Sequence, residues 1–505
     1  MKKIAILLAA ALLAAAPLAA GCNGGEKADL ILKVCNWEDY IDENVIADFE
    51  EEMSEKYGKS VAVEYSTFGT NENLYNDLKI ADGYLYDVVC PSDYMIEKMA
   101  KEGMLEPVNL PAGGAYDKYA SDYIRDIFEN KITWTEDGEK KSLSDYAVCY
   151  MWGTMGLVYN PEYVKSEDMK DWLSLWKADY KNKSTIKDSV RDSYFIGIAY
   201  AKDEELRSLK SQYEEGTLSA EEYNAKLTEI FNDTSAGTIA AVEKGLSELK
   251  GNIFGFEVDS GKNDIATGKI TINFAWSGDA VFAMDEAEDK SGVLLNYAVP
   301  ETGSNIWFDG WCIPKNAEQK DLARDFVDFL CRPDVAVRNM EYIGYTSGIA
   351  KGDETFSIEY YDEDSGALLE TVEYEGVFDW MVQTYGLSET AGENLTEVDL
   401  SYFFGDGKKV YTDTVGRQFS AQYPDTATTA RCVVMNYFSD EANEAINKMW
   451  ENIKGDTFPV WAIVLIVVGV LLIVGAVLLI RFKDKIFKRK RGGKKGVKVV
   501  GKENV

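Results

Sequence analysis

The 505 residues carry 53 lysines and arginines against 86 acidic residues, a net charge of −33, and no histidine at all. The missing imidazole removes Ser-His-Asp and Cys-His catalysis together with the commonest zinc ligand, which takes most enzymatic readings with it. A field this acidic repels nucleic acid and raises the local concentration of small cations.

The chain opens with Lys2 and Lys3, an apolar run from Ile4 to Ala20, and the small-residue stretch Ala19-Ala20-Gly21-Cys22. That is the layout of a signal peptide over residues 1–22, so export is expected. Gly21-Cys22 also looks like a bacterial lipobox, which makes Cys22 the expected lipidation site. The other six cysteines (Cys35, Cys90, Cys149, Cys312, Cys331, Cys432) stand singly with no C-x-x-C spacing. They read as buried free thiols, because a chain this long buries a core without disulfide staples.

From Leu30 onward, short β-rich runs alternate with amphipathic stretches. Leu30 to Asn36 reads as a strand, Glu43 to Lys56 as a helix, Val61 to Ser66 as a strand, Asn71 to Ala81 as a helix, Tyr86 to Cys90 as a strand and Tyr94 to Glu102 as a helix. A βαβαβ series predicts an α/β fold with a largely parallel sheet. Tyr146 to Cys149 suits a short buried strand. Two stretches read as insertions: Asp203 to Leu249, with helical spacing, and Gly352 to Gln422, which carries strand-like runs at Phe356 to Tyr361 and Ala367 to Tyr374. About 430 residues between the chain's ends exceed one ordinary domain, so two lobes with a ligand site between them are expected.

Pro459 to Ile480 holds 22 residues without a charged side chain, enough to cross about 30 Å of hydrocarbon, and predicts a C-terminal transmembrane helix. Eleven basic residues against two acids follow in 481–505, which places this tail in the cytoplasm and the bulk of the chain outside the cell membrane. Without the two ends, 40 basic residues face 84 acidic ones.

Aromatic and acidic residues gather at the predicted strand ends, where open α/β sheets hold ligands. Asn36-Trp37-Glu38-Asp39-Tyr40, Pro91-Ser92-Asp93-Tyr94, Trp276-Ser277-Gly278-Asp279 and Trp307-Phe308-Asp309-Gly310 are the four clusters. With Tyr86-Asp87-Val88-Val89, Tyr150-Met151-Trp152-Gly153 and Arg332-Pro333-Asp334-Val335-Ala336 in collinear order, the chain resembles the spermidine/putrescine-binding receptors of polyamine ABC importers over most of residues 31–350. The resemblance implies a type II periplasmic-binding-protein clamshell. Its first lobe would span 30–147 with 310–350 returning to it. The second would span 148–309 with 351–450 returning to it, including the insertion 352–422.

It also implies Trp37, Tyr40, Ser92, Tyr94, Asp192, Trp276, Trp307, Asp309 and Tyr345 as cleft residues, with Asp279 resembling the acid of a putrescine-preferring branch. Glu38, Asp188 and Ser189, beside these positions, are further ligand-binding candidates. Two departures are visible: Ser189 stands where spermidine-preferring relatives carry an aspartate, and Met435 aligns with a family glutamine. The implied partners are a polyamine and an ABC permease, with no catalytic residue, metal or cofactor.

A polyamine fits this residue set physically. Carboxylates match its ammonium ends, aromatic faces match its methylenes and attract its charge, and hydroxyls accept the remaining N–H groups. Two alternatives stand beside this reading: a clamshell receptor for another small cationic or polar solute, and a surface hydrolase using paired carboxylates.

Overall fold

A computed structural model of the chain describes residues 28–361 and 367–455. The expected signal peptide with Cys22, the apolar run 459–480 and the basic tail 481–505 lie outside the described residues. Among the described residues, no helix is long and apolar enough to cross a membrane.

Strand β1 (Leu30–Trp37) pairs in parallel with β2 (Val61–Phe68) on one side. The helix between them, α1 (Glu43–Tyr57), forms because Val45, Phe49 and Met53 line one buried stripe. Asp42 caps its first turn by accepting the Asn44 N–H, and Gly58 ends it at a φ of 61°. On its other side β1 pairs in parallel with β3 (Val88–Val89), reached through α2 (Asn71–Ile80). Parallel neighbours need such crossovers, so the expected βαβαβ series is present with shifts of a residue or two at its ends.

Beyond α3 (Asp93–Lys101), the chain reaches β4 (Ala147–Tyr159), 13 residues long and buried throughout. The sequence suggests only its first few residues, because Gly153 and Gly156 interrupt the β-branched pattern. Gly153 has a packing reason: a Cβ there would meet Ser277 Oγ at 2.4 Å and the Trp307 ring at 2.8 Å. Strand β5 (Ser184–Lys187) and helix α4 (Val190–Ala201) follow. The stretch read as a helical insertion is three helices, Asp203–Glu214, Ala220–Phe231 and Ala236–Lys250.

Strand β6 (Ile272–Trp276) runs directly into α5 (Ser277–Ser291). Strand β7 (Ser304–Pro314) then lies antiparallel to β4. These two long strands join both sets of parallel strands into one sheet of 12. Near its end β7 meets β3 through Cys312 and Val89, while the far half of β4 pairs with β6, which is parallel to β5. Two parallel halves therefore share β4 and β7 as crossing strands. Their pairing slips between Asp309 and Gly310. A register slip of this kind bends a strand and re-aims its side chains.

After helix α6 (Pro333–Ile343), the second insertion builds the antiparallel pair Thr355–Tyr361 and Leu368–Glu375. It folds back onto the body: Phe403 packs on Trp152 with ring centroids 5.3 Å apart, and the Tyr360 hydroxyl and Trp380 Nε1 both donate to Glu341 at 2.8 Å. The six described cysteines are free and buried, as their spacing suggests.

Candidate functional site

Asp309 stands at the slip in β7 with 5% of its surface exposed. Its two carboxylate oxygens accept from different donors, Oδ2 from the Tyr40 hydroxyl at 2.9 Å and Oδ1 from Ser92 Oγ at 2.7 Å. Tyr40 sits in the turn after β1, and Ser92 precedes α3, so both donors come from strand ends of the first half. Ser92 is itself fixed, since its N–H donates to Asn71 Oδ1 at 3.0 Å and Asn71 Nδ2 donates to its Oγ at 3.1 Å. No lysine or arginine pairs with Asp309 among the described residues. Burial pushes its carboxyl up to about 7 despite the two hydroxyl donors. The Tyr40 phenol is raised well above its ordinary value, first by burial and then by Asp309, so it remains a donor.

An aromatic wall continues from this acid. The Tyr345 ring meets Tyr40 edge-on at 5.7 Å and Trp307 at 5.2 Å. Such edge-to-face contacts hold the rings in fixed orientations. Tyr345 lies against the start of α5, where a Cβ on Gly278 would come within 2.3 Å of its ring; only glycine permits this approach. The second insertion supports the same tyrosine from behind, because Gln422 Nε2 donates to the Gly344 carbonyl at 2.7 Å and its own carbonyl accepts from Thr346 Oγ1 at 2.7 Å.

At the far end of the wall, the Tyr345 hydroxyl donates to Asp279 Oδ1 at 3.3 Å. Asp279 lies in the first turn of α5 and is already paired with a cation: Lys187 Nζ is 2.9 Å from its Oδ2 and 3.2 Å from Glu257 Oε1. The same ammonium sits 4.2 Å from the centre of the Trp276 ring. Asp192, in the first turn of α4, has its carboxyl raised by burial, against the opposing influence of Ser189, Arg191, Lys187 and Trp276.

Arg191 stacks its guanidinium 3.8 Å from the centre of the Tyr94 ring and donates to the carbonyls of Met435 and Asn436 at 2.8 and 3.2 Å. It thereby ties α4, from the second half, to α3, from the first. Its charge also opposes the burial that raises the Asp93 carboxyl to about 7. Asp93 accepts the N–H groups of Tyr94 at 2.6 Å and Phe308 at 3.2 Å.

Tyr40, Ser92, Asp309, Tyr345, Trp307, Asp279 and Trp276 thus form one connected group, with Asp192 and Tyr94 joined to it through Lys187 and Arg191. Trp37 and Glu38 stand outside that chain of contacts. Trp37 packs on Phe68 with ring centroids 4.4 Å apart, and Glu38 is exposed on the turn after β1. Asp188 and Asp192 do not share a helix face, because α4 begins at Val190; Ser189 is its N-cap, accepting the Asp192 N–H. Met435 contributes its carbonyl to Arg191 rather than a polar side chain. Lys187, Arg191 and Gln422 are the residues that sequence reasoning missed. The indole N–H groups of Trp37 and Trp307 are buried without an acceptor among the described residues.

Residues 44–359 match the family described as bacterial extracellular solute-binding protein. The chain is 28% identical over 335 residues to the spermidine/putrescine-binding periplasmic protein of Salmonella typhimurium, covering 66% of this chain and 82% of that relative. It is 26% identical over 324 residues to the putrescine-binding periplasmic protein PotF of Escherichia coli, covering 63% and 77%. Among solved structures, the spermidine/putrescine ABC transporter substrate-binding protein of Streptococcus pneumoniae gives a TM-score of 0.54 at 23% identity, covering 84% of this chain and 99% of that one. A putative spermidine/putrescine ABC transporter from Listeria monocytogenes also gives 0.54, at 24% identity, covering 84% and 98%. The α/β periplasmic-binding-protein fold is common to them.

Proposed function

Because this chain belongs to the bacterial extracellular solute-binding protein family, we propose that it is a polyamine receptor that delivers its ligand to an ABC permease. The observation that carries this reading is Asp309: a buried carboxylate bracketed by two hydroxyl donors, beside an aromatic wall, with no cation of the protein's own among the described residues. A desolvated carboxylate without a counter-ion is costly, and a ligand ammonium removes that cost while its methylenes pack on Trp307 and Tyr345. The relatives whose names refer to spermidine and putrescine support the same ligand class. As a family of binding proteins rather than enzymes, they leave the hydrolase alternative without support. The receptor is held at the membrane through the apolar run 459–480 and a lipid on Cys22, with its basic tail in the cytoplasm.

A second reading has one observation in its favour. The indole N–H of Trp307, unpaired among the described residues, is a donor, and a fully protonated polyamine offers no acceptor for it. A small solute carrying both an ammonium and a carbonyl or carboxylate would satisfy Asp309 and that indole together.

The test is calorimetric titration of the full-length protein with putrescine, cadaverine, spermidine and spermine, beside Asp309→Asn and Trp307→Ala. Binding that both substitutions weaken establishes the polyamine receptor. A folded protein that binds none of the four is a receptor for another solute.

A further inference from the structure

Lys187 ends β5 with none of its surface exposed. Its ammonium donates to Asp279 Oδ2 at 2.9 Å and to the Val258 carbonyl at 3.0 Å, and stands in ion-pair contact with Glu257 Oε1 at 3.2 Å. The Trp276 ring, 4.2 Å away, supplies the aromatic face. Carboxylate, hydrogen-bond acceptors and a tryptophan face are the environment that a binding site offers an alkylammonium ligand, and Lys187 is itself an alkylammonium. The surroundings are equally engaged. Glu257 accepts the Gly261 N–H at 2.8 Å and Asn273 Nδ2 at 3.1 Å, and Asp279 accepts from Tyr345. Burial disfavours the lysine's charge, but Asp279 and Glu257 more than offset that and hold the ammonium protonated.

The Asp309 end has no such tethered cation among the described residues. We infer that Lys187 is a specificity-determining residue: it fills the Trp276–Asp279 end of the cleft as a built-in ligand ammonium, so that the receptor takes one strongly bound ammonium, at Asp309. A second ligand ammonium near Trp276 would meet a like charge and would have to displace a lysine held by two hydrogen bonds and two carboxylates. The ligand class is therefore an amine recognised by one primary ammonium and an aliphatic body, with any further ammonium left toward the mouth of the cleft.

This inference rests on the polyamine reading above, and the experiment separates the two. Full-length wild type, Lys187→Met and the double variant Lys187→Met/Glu257→Gln are titrated calorimetrically with putrescine and with n-butylamine. The double variant keeps one net negative charge in the network, one carboxylate in place of two carboxylates and a cation, so it remains informative where the single variant fails to fold. Wild type is expected to bind the diamine within about tenfold of the monoamine, and freeing Asp279 is expected to raise that preference at least tenfold by tightening putrescine alone, as a new charge-assisted contact requires. An unchanged ratio in a folded variant, with wild type still binding putrescine, overturns the role of Lys187 and leaves the polyamine reading standing. Putrescine binding by the variant but not by wild type does the reverse. Absence of binding to every protein overturns both.

Discussion

Asp309 and Asp279 are both buried aspartates on one aromatic wall, yet they stand in opposite electrostatic conditions. Among the described residues, Asp309 receives two hydroxyl hydrogens and no cation, whereas Asp279 receives a lysine ammonium at 2.9 Å and a phenol at 3.3 Å. The first is left costly by folding, and the second is compensated by folding. Buried charge points to a ligand only where the protein leaves it unmatched, because only there does an arriving counter-ion recover the desolvation cost. Under the proposed function, the contrast would make Asp309 the ligand's anchor and Asp279 part of the scaffold.

The largest effect is expected from Asp309→Asn. Removing one partner of a buried ammonium–carboxylate contact costs about 2–5 kcal/mol, so putrescine affinity should fall by a hundredfold or more in calorimetry. The ligand-free variant should melt higher than wild type, since an amide in this position has no charge to desolvate. Asp279→Asn should behave in the opposite sense on stability, removing the nearer of the two carboxylates paired with Lys187 and lowering the melting temperature. If Asp309→Asn left affinity intact, the contrast between the two acids would be misassigned.

Acidity offers the next test. The Asp309 carboxyl at about 7 binds a proton in the folded protein that an unfolded chain, with an ordinary value near 3.9, has already released. Between about pH 4 and 7 the unfolded state therefore binds fewer protons, and this group makes the ligand-free protein less stable as pH rises through that window. Ligand binding needs the ionised form and reverses the trend. Putrescine affinity should thus weaken about a hundredfold from pH 8 to pH 5, close to tenfold per unit below 7, and the melting-temperature rise caused by putrescine should grow with pH. In Asp309→Asn the pH dependence should largely disappear. If it persisted, Asp93, whose carboxyl is also raised to about 7, would be the titrating group.

Tyr40→Phe should have an intermediate effect. It removes a donor that favours the ionised carboxylate, so the Asp309 carboxyl should rise further and affinity at pH 7 should drop by about tenfold, as expected for a hydrogen bond to a charged group. Part of that loss should return at pH 9. A loss independent of pH would assign Tyr40 to packing alone.

The difference between the two acids was only half legible in the sequence. Trp307-Phe308-Asp309-Gly310, Pro91-Ser92-Asp93-Tyr94 and the βαβαβ series are local patterns, and they anticipated both the first half of the sheet and the residues that surround Asp309. The other end depends on distant segments. Lys187 closes a strand that reads Ser-Thr-Ile-Lys, where a terminal lysine ordinarily signals solvent; its partners come from positions 257 and 279. Arg191 is one residue of a helix's first turn until α3 supplies the Tyr94 ring. Gln422 lies 77 residues from Tyr345 and reaches it only because the second insertion folds back behind α6. Motif order fixes which strand ends meet, but the compensation of a charge is a tertiary property.

The smallest effect is expected from Tyr345→Phe, and it is the most discriminating for the Asp279 end. The substitution deletes one hydroxyl, whose acceptor among the described residues is Asp279 Oδ1 at 3.3 Å, and leaves the ring contacts with Tyr40 and Trp307 in place. Asp279 keeps its lysine, so the lost bond should cost no more than about 1 kcal/mol and lower the melting temperature by a few degrees at most. Putrescine affinity should stay within about fivefold of wild type. A loss comparable with that of Asp309→Asn would mean that the phenol touches the ligand's charge directly. Asp279 would then have to be counted as a ligand acid, and the two ends of the wall would be equivalent.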